Sequence, residues 1–122
     1  MPDIAAVLVG RSFRVAEIGG VPTLDDPVAD LTFGVDGRVT GCATVNRLMG
    51  SYAVDGDILT CVQLAGTMMA GPPEAMDQEQ RLHGALAGHL TVVADESGDR
   101  IELSTEDGVA IVLVPDDSTE LL

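Results

Sequence analysis

Closely spaced turn signals constrain the fold of this chain more than any other feature of its sequence. Gly19-Gly20, Asp36-Gly37, the DGD at 55–57 and Asp107-Gly108 divide it into short segments. Asp-Gly between alternating apolar residues is the strongest short-range signal of a β-hairpin, because glycine reaches positive φ without steric cost. Strands do not alternate with helices along the chain, which argues against βαβ units. The spacing therefore predicts a run of short antiparallel strands.

The predicted strands are apolar or alternating runs between these turns. They lie at 10–18, 30–35 and 38–45, around 52–54, and at 58–64, 89–95, 100–106 and 109–115. Residues 21–30 carry two prolines and three aspartates and are predicted to form a loop.

One segment has helical rather than strand periodicity. EAMDQEQRLHGALAG (74–88) follows Pro73, which suits the first turn of a helix, so we expect a helix at about 73–87. Ala75, Glu79, Leu82 and Leu86 lie on one face of that helix. Glu79 therefore points with an apolar stripe, where a buried carboxylate needs hydrogen-bond donors.

These elements predict a mainly β (α+β) fold. We expect a small antiparallel β-barrel, or a strongly curled sheet, of about seven strands with one helix packed across it, because short strands must avoid exposed edges. The 122 residues form a single domain, with a core at about 8–114 and an acidic C-terminal tail at 115–122. With 46% hydrophobic residues but only Phe13, Phe33 and Tyr52 as aromatics, the core must be aliphatic.

The charge of the chain excludes several classes of partner. Twenty acidic residues against six arginines give a formal net charge of −14. Nucleic acids and anionic membrane surfaces both attract basic segments, so neither is expected as a partner. No stretch reaches the ~20 apolar residues of a membrane span. The apolar run IAAVLVG (4–10) has no basic segment before it, which predicts no signal peptide and a cytoplasmic protein. We also expect a monomer.

No catalytic or cofactor motif is present. The chain has no phosphate loop, GxGxxG or GxSxG, and its acidic doublets fall at turns, where Asp is common. His83 and His89 do not have metal-ligand spacing. Cys61 and His83 are a conceivable nucleophile and base, but Cys61 lies in an apolar strand. We expect a non-enzyme without cofactor or metal, and reduced thiols at Cys42 and Cys61.

A second anomaly lies in GCATVNRLMGSY (41–52), where Asn46 and Arg47 interrupt a run that otherwise resembles a buried strand. We expect a bulge or sharp bend, with Asn46 tolerating an unusual backbone angle or bonding local backbone groups. A ligand-binding role for Asn46 is the alternative. One cause could serve both anomalies: Glu79 turns inward and accepts hydrogen bonds from the 44–47 bend, through Asn46, backbone N–H groups or Arg47.

With these motifs in place, the chain resembles the META domain, the family of the bacterial heat-shock protein HslJ. LVGRSF (8–13) resembles the opening motif, with Phe13 in its aromatic position, and Phe33, Asp36 and Gly37 follow in order. The other matching positions are Gly41, Asn46, Gly50, Tyr52, Thr67, Met69, Ala70, Met76, Glu79 and Leu86. The resemblance implies a small mainly β fold with one helix, and motif roles for these residues that are structural rather than catalytic.

Two positions depart from the family pattern. Where the family has cysteines, this chain has Val45 and Gly71. If those cysteines bridge in exported relatives, their joint loss fits a protein kept in a reducing compartment. Many relatives resemble envelope lipoproteins, so a processed form of this chain stays open.

The resemblance implies no established activity. Our first hypothesis is a non-catalytic, stress-associated module that binds a partner protein. The second is a carrier of a small apolar ligand in the barrel interior, for which an interior containing Met49, Met68, Met69 and Met76 would be suitable. A continuous cavity would favour the carrier, and a packed interior with an exposed apolar patch would favour the partner module.

Overall fold

Nine strands and two helices make up the described part of the chain, residues 4–24, 29–95 and 99–115 of a computed structural model. The helices are α1 (Ile4–Leu8) and α2 (Pro73–Leu86). The strands are β1 (Arg11–Ile18), β2 (Val21–Pro22), β3 (Asp30–Phe33), β4 (Arg38–Cys42), β5 (Arg47–Asp55), β6 (Ile58–Gly66), β7 (Gly88–Ala94), β8 (Ile101–Ser104) and β9 (Ala110–Pro115).

The strands form one antiparallel sheet that closes on itself. Strands β3 to β9 follow in sequence order, and β1 pairs with β3 on one side and with β9 on the other. The closing register runs from Phe13 opposite Pro115 to Ile18 opposite Ile111. Eight strands thus make a closed barrel with β2 as an extra strand beside β1. The mainly β barrel predicted from the turn spacing is confirmed, and closure pairs the edges that an open sheet would expose.

Three details of the prediction are wrong. The 21–30 stretch contains the two-residue β2, where Pro22 is tolerated because the strand is at an edge. The strand predicted at 38–45 ends at Cys42, and a new strand begins at Arg47. A one-turn helix, α1, forms where none was predicted. The turn at 96–99, the Asp25-Asp26 doublet and the acidic tail beyond Pro115 lie wholly or largely outside the described residues.

The barrel interior is packed with aliphatic side chains and two phenylalanines. Phe13 and Phe33 meet edge to face with ring centroids 6.2 Å apart, and both are fully buried. The largest other buried side chains are Leu8, Leu31, Leu48, Leu59, Leu82, Leu86, Leu90, Ile101, Leu103 and Ile111. Met49, Met68 and Met69 are all exposed and Met76 is half-buried, so the suggested methionine-rich interior is wrong.

Helix α2 lies across the barrel with one face buried. It begins at Pro73, as predicted, and the N–H groups of Ala75 and Met76 both donate to the carbonyl of Pro72 at 3.0 Å. Its buried residues are Ala75, Gln78, Glu79, Leu82, Ala85 and Leu86. The predicted apolar stripe is therefore present, but the buried face also includes two polar side chains, Gln78 and Glu79.

Candidate functional site

An open groove lies between helix α2 and the irregular segment that follows β6. Its volume is about 560 Å³. The lining consists of residues 66–70, residues 46–48, Ala43, and the helix residues Met76, Glu79, Gln80, His83 and Gly84. We call it the methionine-edged groove, because Met68 is 97% exposed and Met69 58% exposed along one rim.

The Glu79 carboxylate forms part of this groove and points towards the bend between β4 and β5. Its Oε1 accepts hydrogen bonds from the backbone N–H of Val45 at 2.8 Å and of Asn46 at 2.6 Å. Its Oε2 accepts a third from Nδ2 of Asn46 at 2.6 Å. The expectation that Glu79 turns inward onto the 44–47 bend is confirmed by these contacts. Hydrogen bonds to charged groups contribute roughly 1.5–3 kcal/mol each, so together they fasten the helix to the barrel.

Asn46 connects the same carboxylate to the opposite wall of the groove. Its Oδ1 accepts hydrogen bonds from the N–H of Met69 at 2.6 Å and from Oγ1 of Thr67 at 2.9 Å. Its Nδ2 also donates to the carbonyl of Met69 at 3.0 Å. The amide thus uses two acceptor and two donor positions, which is its full capacity. The expectation of bonding to local backbone groups is wrong, because these partners lie far along the chain.

The unusual backbone angle expected at the bend falls on Thr44 rather than on Asn46. Thr44 has φ 133°, a region that strongly favours glycine, and it is 1% exposed. Strained backbone of this kind costs on the order of 1–3 kcal/mol and persists only where its surroundings hold it. The surroundings include Gln78, whose Nε2 donates to Oγ1 of Thr44 at 2.9 Å.

Gln78 is a site residue that sequence reasoning missed. It is 3% exposed, and its Oε1 accepts the N–H of Leu24 at 2.8 Å while its amide nitrogen holds Thr44. Gln78 therefore connects the helix to a second segment of chain, beside Glu79. Its position next to the apolar stripe at Ala75 and Leu82 was the available signal.

Arg47 was another donor proposed for Glu79. The N–H of Arg47 donates to Oγ1 of Thr67 at 3.1 Å, and its carbonyl accepts the N–H of Thr67 at 3.2 Å. Across residues 4–24, 29–95 and 99–115, no hydrogen bond or ion pair joins Arg47 to Glu79. Its side chain is exposed and lines the groove.

The electrostatic state of Glu79 follows from two opposed effects. Burial by itself raises the pKa of the carboxyl, because it disfavours the charged form. The hydrogen bonds from Asn46 and Val45, with the nearby charge of His83, favour the carboxylate and outweigh burial. The net result is a pKa below the ordinary value of 4.5. Glu79 is thus a stable anion, unlike a general acid, whose pKa is typically raised.

Gly41 and Gly50 act in the barrel wall rather than in the groove. A Cβ on Gly41 would collide with the backbone carbonyl of Asp30 on β3. A Cβ on Gly50 would lie 2.8 Å from Cδ2 of Leu64 and 3.0 Å from the carbonyl of Val62. The pairing of β5 with β6 shifts register next to Gly50. Both glycines therefore allow close approach of neighbouring strands.

Tyr52 lies apart from the groove as well. Its hydroxyl donates to the carbonyl of Gly34 at 2.7 Å, and its ring meets Phe33 edge to face at 5.1 Å. Burial, and to a smaller extent the charge of Asp36, raise the pKa of Tyr52. Of the seven predicted site residues, the structure brings together Asn46, Thr67, Met69 and Glu79.

The two positions that depart from the family pattern touch each other. A Cβ built on Gly71 would lie 2.7 Å from Cγ2 and 3.5 Å from Cβ of Val45. A Cβ–Cβ separation of this size falls at the short end of the range for disulfides. Val45 and Gly71 thus occupy places where a cysteine pair could bridge the bend to the segment after β6.

The cysteines and histidines of this chain form neither a nucleophile–base pair nor a metal site among the described residues. Cys42 and Cys61 are both free thiols, and burial raises the pKa of Cys61 to about 11. Cys61 is therefore poorly suited to act as a nucleophile. His89 pairs its Nδ1 with Oγ1 of Thr60 at 2.9 Å, whereas His83 lines the groove. Within the described ranges, no three residues among His, Cys, Asp and Glu are grouped to hold a metal ion.

In the part of the chain that the structure describes, neither helix has the length and apolar character needed to cross a membrane.

The fold and site define a class: small antiparallel barrels crossed by one helix that a buried carboxylate fastens to a strand bend. The META domain family matches this chain over residues 6–118. The chain belongs to the META domain family.

Solved structures with the same fold are known. The chain is similar to a protein from Burkholderia xenovorans determined by NMR, with 23% identity, coverage of 95% of this chain and 92% of the other, and a TM-score of 0.76. A second NMR structure has 21% identity, coverage of 88% and 91%, and a TM-score of 0.72. A DUF4847 family protein from Bacteroides vulgatus has 15% identity, coverage of 93% and 97%, and a TM-score of 0.68. No curated protein matches the chain.

Proposed function

We propose that this chain is a non-catalytic binding module that receives an apolar segment of a partner protein in the methionine-edged groove. The observation that carries the proposal is the exposure of Met68 and Met69 at one rim, 97% and 58%. Contiguous exposed apolar surface, unlike single scattered residues, marks interaction sites and binding grooves, and both of these side chains line the groove. Methionine suits such a surface because its unbranched, polarisable side chain adapts to different contacts.

The construction of the groove supports binding rather than catalysis. Its titratable groups are Arg47, Glu79 and His83, and the oxygens of Glu79 already accept three hydrogen bonds. Acid–base catalysis needs a group that can exchange its proton with a substrate, which a carboxylate held as an anion does poorly. Asn46 and Glu79 instead hold the two walls at a fixed separation. A preformed site of this kind limits the entropy lost on binding.

A second candidate function is the binding of a small apolar ligand. The volume of the groove, about 560 Å³, falls in the range of small-molecule sites. The ligand would then lie in the groove, beneath Met68 and Met69, rather than inside the barrel as the sequence suggested. Resemblance to HslJ-like proteins extends the first proposal to a partner of the stress response.

Capture experiments with matched baits test the proposal. The baits are the parent chain, a Met68→Asp/Met69→Asp variant and a Val35→Asp control, since Val35 is 84% exposed and does not line the groove. We expect one protein to be retained by the parent and the control and lost with the groove variant. That protein, purified, should bind the parent with the same dependence on Met68 and Met69.

Native mass spectrometry of the purified parent separates the two candidate functions. A retained small molecule that the groove variant lacks would favour the ligand carrier. A purified partner that binds all three baits equally would contradict the proposed use of the groove.

A further inference from the structure

Sulfur atoms are distributed unevenly between the barrel and the methionine-edged groove. Cys61 is 3% exposed, and its raised pKa of about 11 leaves little reactive thiolate. Cys42 is half-buried and its Sγ donates to the carbonyl of Thr44 at 3.2 Å. Met76 is half-buried and Met49 is 43% exposed. At the groove rim, Met68 and Met69 expose 97% and 58% of their surface.

We propose that Met68 and Met69 form a reversible oxidation site that controls the binding state of the groove. Peroxide is the oxidant. The thioether sulfur attacks one peroxide oxygen, and an S–O bond forms as the O–O bond breaks. The other oxygen leaves as hydroxide and takes up the proton of the transferred oxygen to give water. Methionine loses two electrons and becomes methionine sulfoxide; sulfoxide reductases return it to the thioether with two electrons and two protons from thiols, releasing water. The regulation of binding rests on the proposed function. The oxidation of Met68 and Met69 itself does not depend on that function.

Oxidation of the two methionines should change the polarity of the groove rim without changing the fold, because the backbone around them is held in place. Met69 is held by Asn46 through its N–H at 2.6 Å and its carbonyl at 3.0 Å, and Asn46 is itself bound to Glu79. These bonds use main-chain atoms and leave the thioether free of the network. Because both side chains are exposed, adding oxygen to them removes no core packing. The groove rim becomes polar and chiral while its walls stay in place.

The first test measures the order of oxidation. The full chain is treated with a graded series of hydrogen peroxide, and peptide mapping follows the gain of about 16 Da per sulfoxide. We expect Met68 to react first and Met69 next, both several-fold faster than Met49 and Met76. Faster oxidation of Met49 or Met76 would overturn the assignment of the site.

The second test measures the consequence for the groove, with Nile red as the probe. A neutral dye is chosen because a chain of net charge −14 repels anionic ones. Peroxide should strongly reduce dye fluorescence on the parent. A Met68→Leu/Met69→Leu variant, which keeps the apolar surface without sulfur, should keep its fluorescence, and Met49→Leu should behave as the parent. The thermal midpoint of the parent should stay unchanged by this treatment.

Two outcomes of the dye experiment would overturn the proposal. One is equal dye fluorescence of the parent before and after peroxide, at whatever starting level. The other is an equal loss from the Met68→Leu/Met69→Leu variant. Neither measurement uses a partner protein, so failure of partner capture with these results intact would count against the proposed function alone.

Discussion

In the first half of helix α2, at what we call the polar end, Gln78 and Glu79 are buried and make directed hydrogen bonds with Leu24, Thr44, Val45 and Asn46. In its second half, at what we call the apolar end, Leu82 and Leu86 are buried among aliphatic side chains. Apolar burial supplies free energy but tolerates many arrangements, whereas the polar bonds are satisfied in one register only. Different turns of one helix therefore supply the stability of its packing and fix its position on the barrel.

The largest expected effect belongs to the apolar end. Leu82→Ala should reduce the free energy of unfolding by about 2–5 kcal/mol, because a fully buried leucine leaves a cavity. The loss should be the same at pH 7 and pH 5, since no ionisable group is removed. Chemical denaturation at the two pH values measures it. A loss below about 1 kcal/mol would show that the helix end is not a packed part of the core.

The second prediction concerns the segments that the polar end joins. Val45→Cys/Gly71→Cys should form a disulfide, because a Cβ added at Gly71 would lie 3.5 Å from the Cβ of Val45. Closing a loop of roughly 25 residues should stabilise the chain by about 3.5 kcal/mol in the chain-entropy description. Oxidised and reduced forms are compared by denaturation, in a background with Cys42 and Cys61 replaced by Ser. No bridge under mild oxidation would contradict the placement of the bend against Gly71.

The polar end itself should have a somewhat smaller effect. Glu79→Ala should cost about 2–3 kcal/mol, because donors of Val45 and Asn46 lose their acceptor while water can enter from the open groove. Glu79→Gln should cost about 1 kcal/mol, since one amide oxygen still accepts. Glu74→Ala is the matched control on an exposed turn of the same helix and should change little. Melting curves that overlay for the parent and Glu79→Ala would refute the role of the carboxylate.

The smallest effect is the pH dependence of that carboxylate. The folded pKa of Glu79 lies below the ordinary 4.5, so its contribution to stability is fully present above pH 4.5 and is lost as pH falls through the folded pKa. Glu79→Gln should remove this part of the acid sensitivity. Unfolding free energies of parent and variant should therefore converge between about pH 5 and pH 2. A difference that stays constant over this range would contradict the lowered pKa.

Much of this architecture could be predicted because it depends on local rules. Asp36-Gly37, Asp107-Gly108 and the alternating runs between turns define the hairpins, and Pro73 defines where the helix begins. Glu79 could be predicted as a site residue because a carboxylate within an apolar stripe needs donors. The strand bend could be predicted because Asn46 is a polar residue that interrupts an apolar, strand-like run.

The remaining features depend on contacts between distant segments. The position of Gln78 next to the apolar stripe indicates burial but not its partners, because only the fold brings Leu24 and Thr44 to it. The strain falls on Thr44, a β-branched residue that gives no local sign of positive φ. Hydrophobicity alone assigns the methionines to the interior. Met68 and Met69 lie outside because the chain after β6 follows an irregular path, along which Asn46 bonds Thr67 and Met69.

The bonds of Asn46 also predict how this molecule opens and closes in solution. The amide proton of Met69 belongs to an exposed residue in a segment without strand pairing, where exchange with solvent would normally be fast. This N–H donates to Asn46, which is 5% exposed and also bonds Glu79 of helix α2. The proton can therefore exchange only when the bonds of Asn46 break. Deuterium uptake at Met69 would therefore follow the same opening event as uptake at Val45 and Asn46, which makes two distant stretches of chain one cooperative unit with the helix that holds them.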